Sequence, residues 1–351
     1  MSELAVAAPA KPTGSCVAYR VRGALLAAAL TACSAQKQAS DCVPSEPTPT
    51  DLFCTGLYAE PGSLRLAATA LPYKPGVTFW SDGAEKQRYL LLPAGSQIDT
   101  SQMDAWTFPI GTKAWKEFRW NGAFVETRLF WKRGESDWFS GTYVWNAEQS
   151  EAVLNTSRQP LLSEDGYEIP TAKDCGKCHH GGSDSLLGVE AVSLGLPDAE
   201  GVTLASLAAL GALSDPPSPL TISLPEDATG KAAAALGFLH VNCGVPCHSS
   251  RGLGEETQLV MRMRADQLWP EPVPVEQTDA FQATVGRQPT TASVAQQFPG
   301  AQRITPGTHD QSLVWLLSHR RGDYQMPPLV SHRVDETGTQ ELSEWIDALE
   351  H

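Results

Sequence analysis

Residues 113–132 read KAWKEFRW, then Asn121-Gly122, then AFVETRLFWK. Asn-Gly between two runs of aromatic and β-branched residues is the strongest short-range signal for a β-hairpin, because both central residues of the tight turn take positive φ. Along the second run Val125, Thr127, Leu129 and Trp131 alternate with Phe124, Glu126, Arg128 and Phe130, a period of two with aromatics on both faces. Gly141 to Trp145 is a further run, with Tyr143 and Trp145 on one side. From about Asp51 to Thr156 the chain continues in such runs, broken by Gly, Pro and Asn, which predicts an all-β domain over 51–165, sandwich-like or barrel-like. Within it, Trp80-Ser-Asp-Gly-Ala84 reads as a turn in which the Asp82 side chain bonds its own backbone. The alternative for Asp82 and Glu85 is a metal or sugar site.

Upstream, Arg20 and Arg22 precede a short apolar run, Gly23 to Ala29, that leads into Leu30-Thr31-Ala32-Cys33. The run is too short for a permanent membrane helix and reads as a lipoprotein-type signal peptide over 1–33. Cleavage before Cys33 leaves a cysteine for acylation, which anchors an exported protein to a membrane of the cell envelope, facing the periplasm or exterior. Residues 34–50, rich in Ser, Gln, Pro and Thr, read as a flexible linker. With 351 residues, 42% hydrophobic content and ten tryptophans, the rest suffices for two ordinary domains. The formal charge is −14; losing Lys11, Arg20, Arg22 and Glu3 with the leader leaves 23 basic against 39 acidic residues, or −16. That balance argues against nucleic acid and anionic lipid as partners and suits a basic partner protein. In an exported chain Cys42 and Cys54 are expected to form a disulfide.

Downstream, residues 175–180 read Cys-Gly-Lys-Cys-His-His. The spacing Cys-x-x-Cys-His is the attachment signature of a c-type haem. On a helix capped by Thr171, Cys175 and Cys178 share a face, each thiol able to form a thioether, and His179 follows as axial ligand to iron. A redox-active pair and half of a zinc site are the alternatives. Residues 166–228 thus read as a first haem-binding segment, with a helix from about Leu204 to Leu213. A second helix, opened by Thr229 and running through Ala232 to Val241, delivers the chain to Cys243-Gly-Val-Pro-Cys247-His248. This motif has one residue more than the usual spacing, yet i and i+4 still share a helical face; a Cys243–Cys247 disulfide and a lapsed site are the alternatives.

Asp310 to Arg320 reads as another helix, followed by Gln325-Met326-Pro327-Pro328 and a final helix with Thr339 as cap and Leu342, Trp345, Ile346 and Leu349 at helical spacing. A Cys-His helix, a later Met on a Pro-stiffened loop and a closing amphipathic helix follow the plan of a class I cytochrome c. An all-α cytochrome c-like domain is therefore expected over 229–351, with His248 and Met326 as metal ligands and Arg320 and Arg321 pairing with haem carboxylates. For the first haem the sixth-ligand candidates are His180, His240, Met261, Met263, His309, His319 and His332, or an open position.

On Trp80 to Ala84, Ile169-Pro170 with Cys175, Cys178 and His179, Asn242-Cys243 with Cys247 and His248, and Met326-Pro327-Pro328, the chain resembles a family of exported bacterial proteins. Its members join an N-terminal β domain to a C-terminal dihaem cytochrome c region. The resemblance covers most of residues 51–351 and implies one or two covalent c-type haems and electron transfer. The extra residue between Cys243 and Cys247 departs from the family pattern. The function expected is that of an electron carrier; the alternatives are a dihaem peroxidase or oxidase with an open first haem, and a glycan- or protein-binding β domain tethered to a cytochrome.

Overall fold

The Asn121-Gly122 turn forms as expected, with φ of 51° and 81° and Trp120 opposite Ala123. The structure is a computed structural model that describes Cys42, residues 48–163, 166–179 and 184–249, Gly252 and residues 254–350. The expected leader, most of the linker, and His180 lie outside the described residues.

Strands β1 (Leu71–Lys74), β2 (Glu85–Leu91), β3 (Lys113–Trp120), β4 (Ala123–Lys132), β5 (Trp138–Trp145) and β6 (Ala152–Leu154) form an antiparallel meander. A separate two-stranded ladder joins β7 (Leu161–Leu162) to β8 (Glu168–Ile169). After helices α1 (Ala172–Cys178) and α2 (Ala191–Gly195), strand β9 (Glu200–Gly201) returns to pair with β1 and completes a seven-stranded sheet.

The sheet is neither sandwich nor barrel. On one face Tyr89, Trp115, Leu129 and Tyr143 pack against Leu52, Phe53, Leu57 and Tyr58 of the N-terminal segment. On the other, Leu90 and Ala114 meet Leu194, Leu204, Leu207 and Leu213 from α2, from α3 (Leu204–Ala209) and beyond it, while Phe118 meets Tyr167 and Ile169. Both faces are buried, one under the N-terminal segment and the other under α2, α3 and the chain around them, which is why both carry aromatics; each such fully buried side chain contributes about 1.5–3 kcal/mol. In β4 the simple alternation breaks at a bulge: Phe118 opposes Glu126 but Arg119 opposes Phe124, so Val125 is the extra residue. The Cys42–Cys54 disulfide is present.

The expected all-α cytochrome c-like domain is not what residues 229–351 form. The molecule is mainly β, and this segment contributes short helices: α4 (Ala232–Leu239), α5 (Asp279–Thr284), α6 (Ala292–Gln297), α7 (Leu313–Ser318) and α8 (Glu336–Ala348). Between them run 3₁₀ turns and isolated parallel bridges, Val285 with Ile304 and Gln302 with Ser312. Pro270, Pro272, Pro274, Pro289, Pro299 and Pro306 remove helical donors, and Gly286, Gly300 and Gly307 take positive φ, so no long helix propagates between α4 and α7. Thr229 bonds Asp227 and leaves α4 without a side-chain cap. Asp335 caps α8, and Thr339 lies inside it. The apolar spacing of α8 was legible: Leu342, Trp345 and Ile346 pack with Ala235, Leu236 and Leu239 of α4. Among the described residues no helix is long and apolar enough to cross a membrane.

Candidate functional site

Helix α1 begins with a reciprocal cap in which the Thr171 hydroxyl accepts the Asp174 N–H and the Asp174 carboxylate accepts the Thr171 N–H. That box fixes the turn that carries Cys175, 8% exposed, toward the sheet. The His179 N–H closes the helix on the Cys175 carbonyl at 3.2 Å. The His179 ring stacks on Phe130 at 4.1 Å, and its Nδ1 lies 2.5 Å from the Ser185 carbonyl. A carbonyl only accepts, so the proton sits on Nδ1 and the lone pair on Nε2, the arrangement that orients an imidazole for a metal. A cavity of about 480 Å³ opens beside the ring, lined by Phe130, Trp138, Ser140, Ala172 and Gly176. The Asp184 carboxylate anchors the following loop by accepting from Lys132, Trp138 and the Phe108 N–H.

The second motif accommodates its extra residue in the backbone. Helix α4 widens into a π turn over His240–Gly244, with the Val245 N–H bonding the His240 carbonyl at 2.8 Å. The His248 N–H bonds the Cys243 carbonyl, also at 2.8 Å and also five residues back. The bond from the histidine amide to the first cysteine's carbonyl is therefore common to both motifs, spanning four residues in one and five in the other. Gly254 leaves the His248 ring its space, since a Cβ there would lie 2.5 Å from Nδ1. Thr257 Oγ1 is 3.4 Å from that nitrogen, and burial, then the charge of Arg303, lowers the basicity of His248.

The two motifs meet at Cys178 and Cys247. The hydrogen bond from Cys247 is the main influence bringing Cys178 down to about 7, against burial and with Arg128 and Lys116 assisting. The same bond, then burial, pushes the Cys247 thiol up. Burial raises Cys175, and it raises Cys243 to about 12. Among the described residues no group of three or more His, Cys, Asp and Glu side chains converges as a metal site.

The remaining ligand candidates are dispersed. Met261 and Met263 are core residues beside Cys243. His309 pairs with Asp347, His319 stacks on Trp315, and His332 meets Glu168. Met326 is 37% exposed, its N–H on the Leu317 carbonyl. Arg321 donates to the carbonyls of Ser318, Arg320 and Arg333, and Arg320 lies over the Phe298 ring. No hydrogen bond, ion pair or ring contact among the described residues joins Met326, Arg320 or Arg321 to the second motif.

His240 is fully buried; its Nδ1 accepts the Met263 N–H, so Nε2 carries the proton toward Glu190, 3.5 Å away. Glu190 caps α2 by accepting the N–H groups of Val192 and Ser193. Burial opposes its charge, but the hydrogen bond from His240, with the charge of Arg262 assisting, holds the carboxyl at about 2. A carboxyl depressed from 4.5 stabilises the fold above its unfolded value and loses that contribution as pH falls toward 2. Glu190→Gln is expected to lower stability by ~3 kcal/mol at neutral pH. The gap in melting temperature between wild type and variant should close as pH falls from 4.5; a gap constant across that range would refute the coupling.

Sequence reasoning missed two features. First, the turn at Trp80 is not self-contained. Asp82, at φ 52°, accepts the N–H groups of His332 and Arg333. The Trp80 N–H bonds Asn242 Oδ1 at 2.8 Å, and Asn242 bonds back to the Thr78 carbonyl. The turn thereby clamps the residue before Cys243 and the loop after Met326, and the Asp82 carboxylate is occupied. Second, Arg88 opposes Lys116 and Lys116 opposes Arg128, so three cations form a row across β2, β3 and β4. The row shares a face with Phe130, and so with α1. Only cross-strand register makes it visible.

No protein-family model, curated protein or solved structure matches the chain.

Proposed function

We propose that the chain is an exported c-type haem protein of the cell envelope that transfers electrons. Cys175 and Cys178 would hold one haem through thioethers with His179 as its iron ligand, and Cys243, Cys247 and His248 would hold a second. The observation that carries this reading is the bond from histidine amide to first-cysteine carbonyl, kept in both motifs although their spacing differs. The donor set fits the group: paired thiols ahead of an imidazole whose Nδ1 is held by a carbonyl, and cations on the facing sheet to match an anionic cofactor. Bound there, the group supplies reversible one-electron chemistry at iron. The chain's part is to orient the imidazoles and set the charge around them. An acyl group on Cys33 anchors the protein, and the acidic balance suits a basic redox partner.

The test is covalent haem stoichiometry by pyridine haemochrome spectroscopy on protein matured by a c-type assembly system. Two haems are expected, falling to one in Cys175→Ala/Cys178→Ala and to one in Cys243→Ala/Cys247→Ala. One haem, unchanged by the second pair, would remove the second motif from the reading; no covalent haem would overturn it. The contact between Cys178 and Cys247 favours a second reading, thiol–disulfide exchange, which that last outcome together with a redox-dependent loss of two thiols would establish.

A further inference from the structure

His179 and His248 hold their Nδ1 protons on different acceptors. In the first motif the Ser185 carbonyl lies 2.5 Å from Nδ1. In the second the partner is the Thr257 hydroxyl, 3.4 Å away. That hydroxyl gives its own proton to the Gly254 carbonyl at 2.6 Å, so toward His248 it can only accept. Both imidazoles therefore keep Nε2 for a metal, but the His248 ring is held by a longer bond to a weaker acceptor. A strong acceptor at Nδ1 raises the basicity of the ligating nitrogen, and a weak one raises it little.

Thr257 is itself held by Arg303. The guanidinium donates to the carbonyls of Thr257 at 2.7 Å, Ala283 at 2.8 Å and Gln258 at 3.2 Å, and to the Thr290 hydroxyl at 3.4 Å. Its backbone is fixed on both sides, the N–H on the Arg287 carbonyl and the carbonyl accepting the Val314 N–H. Arg303 is 8% exposed, and among the described residues it pairs with no carboxylate. The turn it secures returns to the motif, because the Gly254 N–H bonds the Cys247 carbonyl at 3.0 Å. Thr257 thus touches the guanidinium with its carbonyl and the imidazole with its hydroxyl. A buried cation whose partners are all neutral acts on its surroundings with little screening.

We propose that Thr257 and Arg303 are positioning residues of His248 that favour the reduced state of the second haem. The hydroxyl leaves the imidazole a weak donor, and the uncompensated cation opposes the additional positive charge of the oxidised centre. This rests on the haem reading of the second motif.

The test is a potentiometric titration of full-length protein in the Cys175→Ala/Cys178→Ala background, where only the second haem remains. Arg303→Gln is expected to favour the oxidised state about tenfold, a midpoint lower by about 59 mV for a one-electron couple. Arg303→Lys keeps the charge and should stay near the parent value. Thr257→Val removes the acceptor and should act in the opposite direction, favouring the reduced state about twofold. In the Cys243→Ala/Cys247→Ala background Arg303→Gln should leave the midpoint of the first haem where it was. A merely structural role would lower the melting temperature and leave the potential unmoved, or shift it the same way in Arg303→Gln and Thr257→Val; either result overturns the proposal and spares the haem reading. Absence of haem before any change at Thr257 or Arg303 would remove both. Should Arg303→Gln fail to accumulate, the sign of the shift in Thr257→Val decides.

Discussion

Replacing Glu126 by glutamine is expected to cost the folded protein about 3–5 kcal/mol, the usual penalty for removing one partner of a buried ion pair. Glu126 is fully buried and serves two partners: the Arg128 guanidinium, and the Tyr167 hydroxyl at 2.6 Å. Burial presses Arg128 toward neutrality, and the adjoining Glu126 charge more than offsets it. Glutamine keeps the shape but removes the charge, leaving Arg128 in line with Lys116 and Arg88 and no anion beside any of them. Urea denaturation measures the loss, with the slope unchanged if only stability falls. A cycle with Arg128→Met should recover most of the loss in the double variant, because the uncompensated cation is then gone. A loss below about 1 kcal/mol would mean that the row is better solvated than its burial implies.

Gly244→Ala is expected to be nearly as costly and to act on the second motif alone. A Cβ at this position would come within 2.3 Å of the Arg262 nitrogen and 2.5 Å of the Met261 carbonyl carbon. Both are backbone atoms, so no side chain can rotate away. The segment they belong to holds the motif in place: the Met261 N–H bonds the His248 carbonyl at 2.9 Å, and the Met263 N–H bonds His240. Relief of the clash must move that segment or unwind the π turn, and either separates Cys243 from His248. Overpacking of this kind costs about 3 kcal/mol. On the proposed haem reading, the haem count should fall from two to one, with the haem at Cys175 and Cys178 retained. Retention of two haems with an unchanged melting temperature would show that the π turn is not what forms the second motif.

The cationic row and the Trp80 turn together change the part assigned to the β region. Its aromatics are core residues, such as Trp115 and Tyr143, fully buried. Its polar residues reach the cysteine motifs: Lys116 and Arg128 lie toward the first, and Trp80, through Asn242, holds the second. The sheet is thus one wall of the site.

Features legible in the sequence are those whose energy is local. The Asn121-Gly122 turn depends on the φ of two residues, and the α1 cap on Thr171 and Asp174, three apart. The first cysteine motif and the apolar face of α8 repeat at helical spacing, as the structure places them. Local spacing also suggested a helical domain over 229–351, and there it misled, because the same apolar residues can be buried by irregular chain once prolines and left-handed glycines interrupt the helices. Tertiary structure alone decided the rest. Arg88, Lys116 and Arg128 become neighbours only through the register of three strands, and Asp82 meets His332 across 250 residues of chain. The fifth residue of Cys243–Cys247 is absorbed by a π turn held against Arg262. Such pairings are set by which surfaces bury one another, a free energy of the whole fold that no window of neighbouring residues contains.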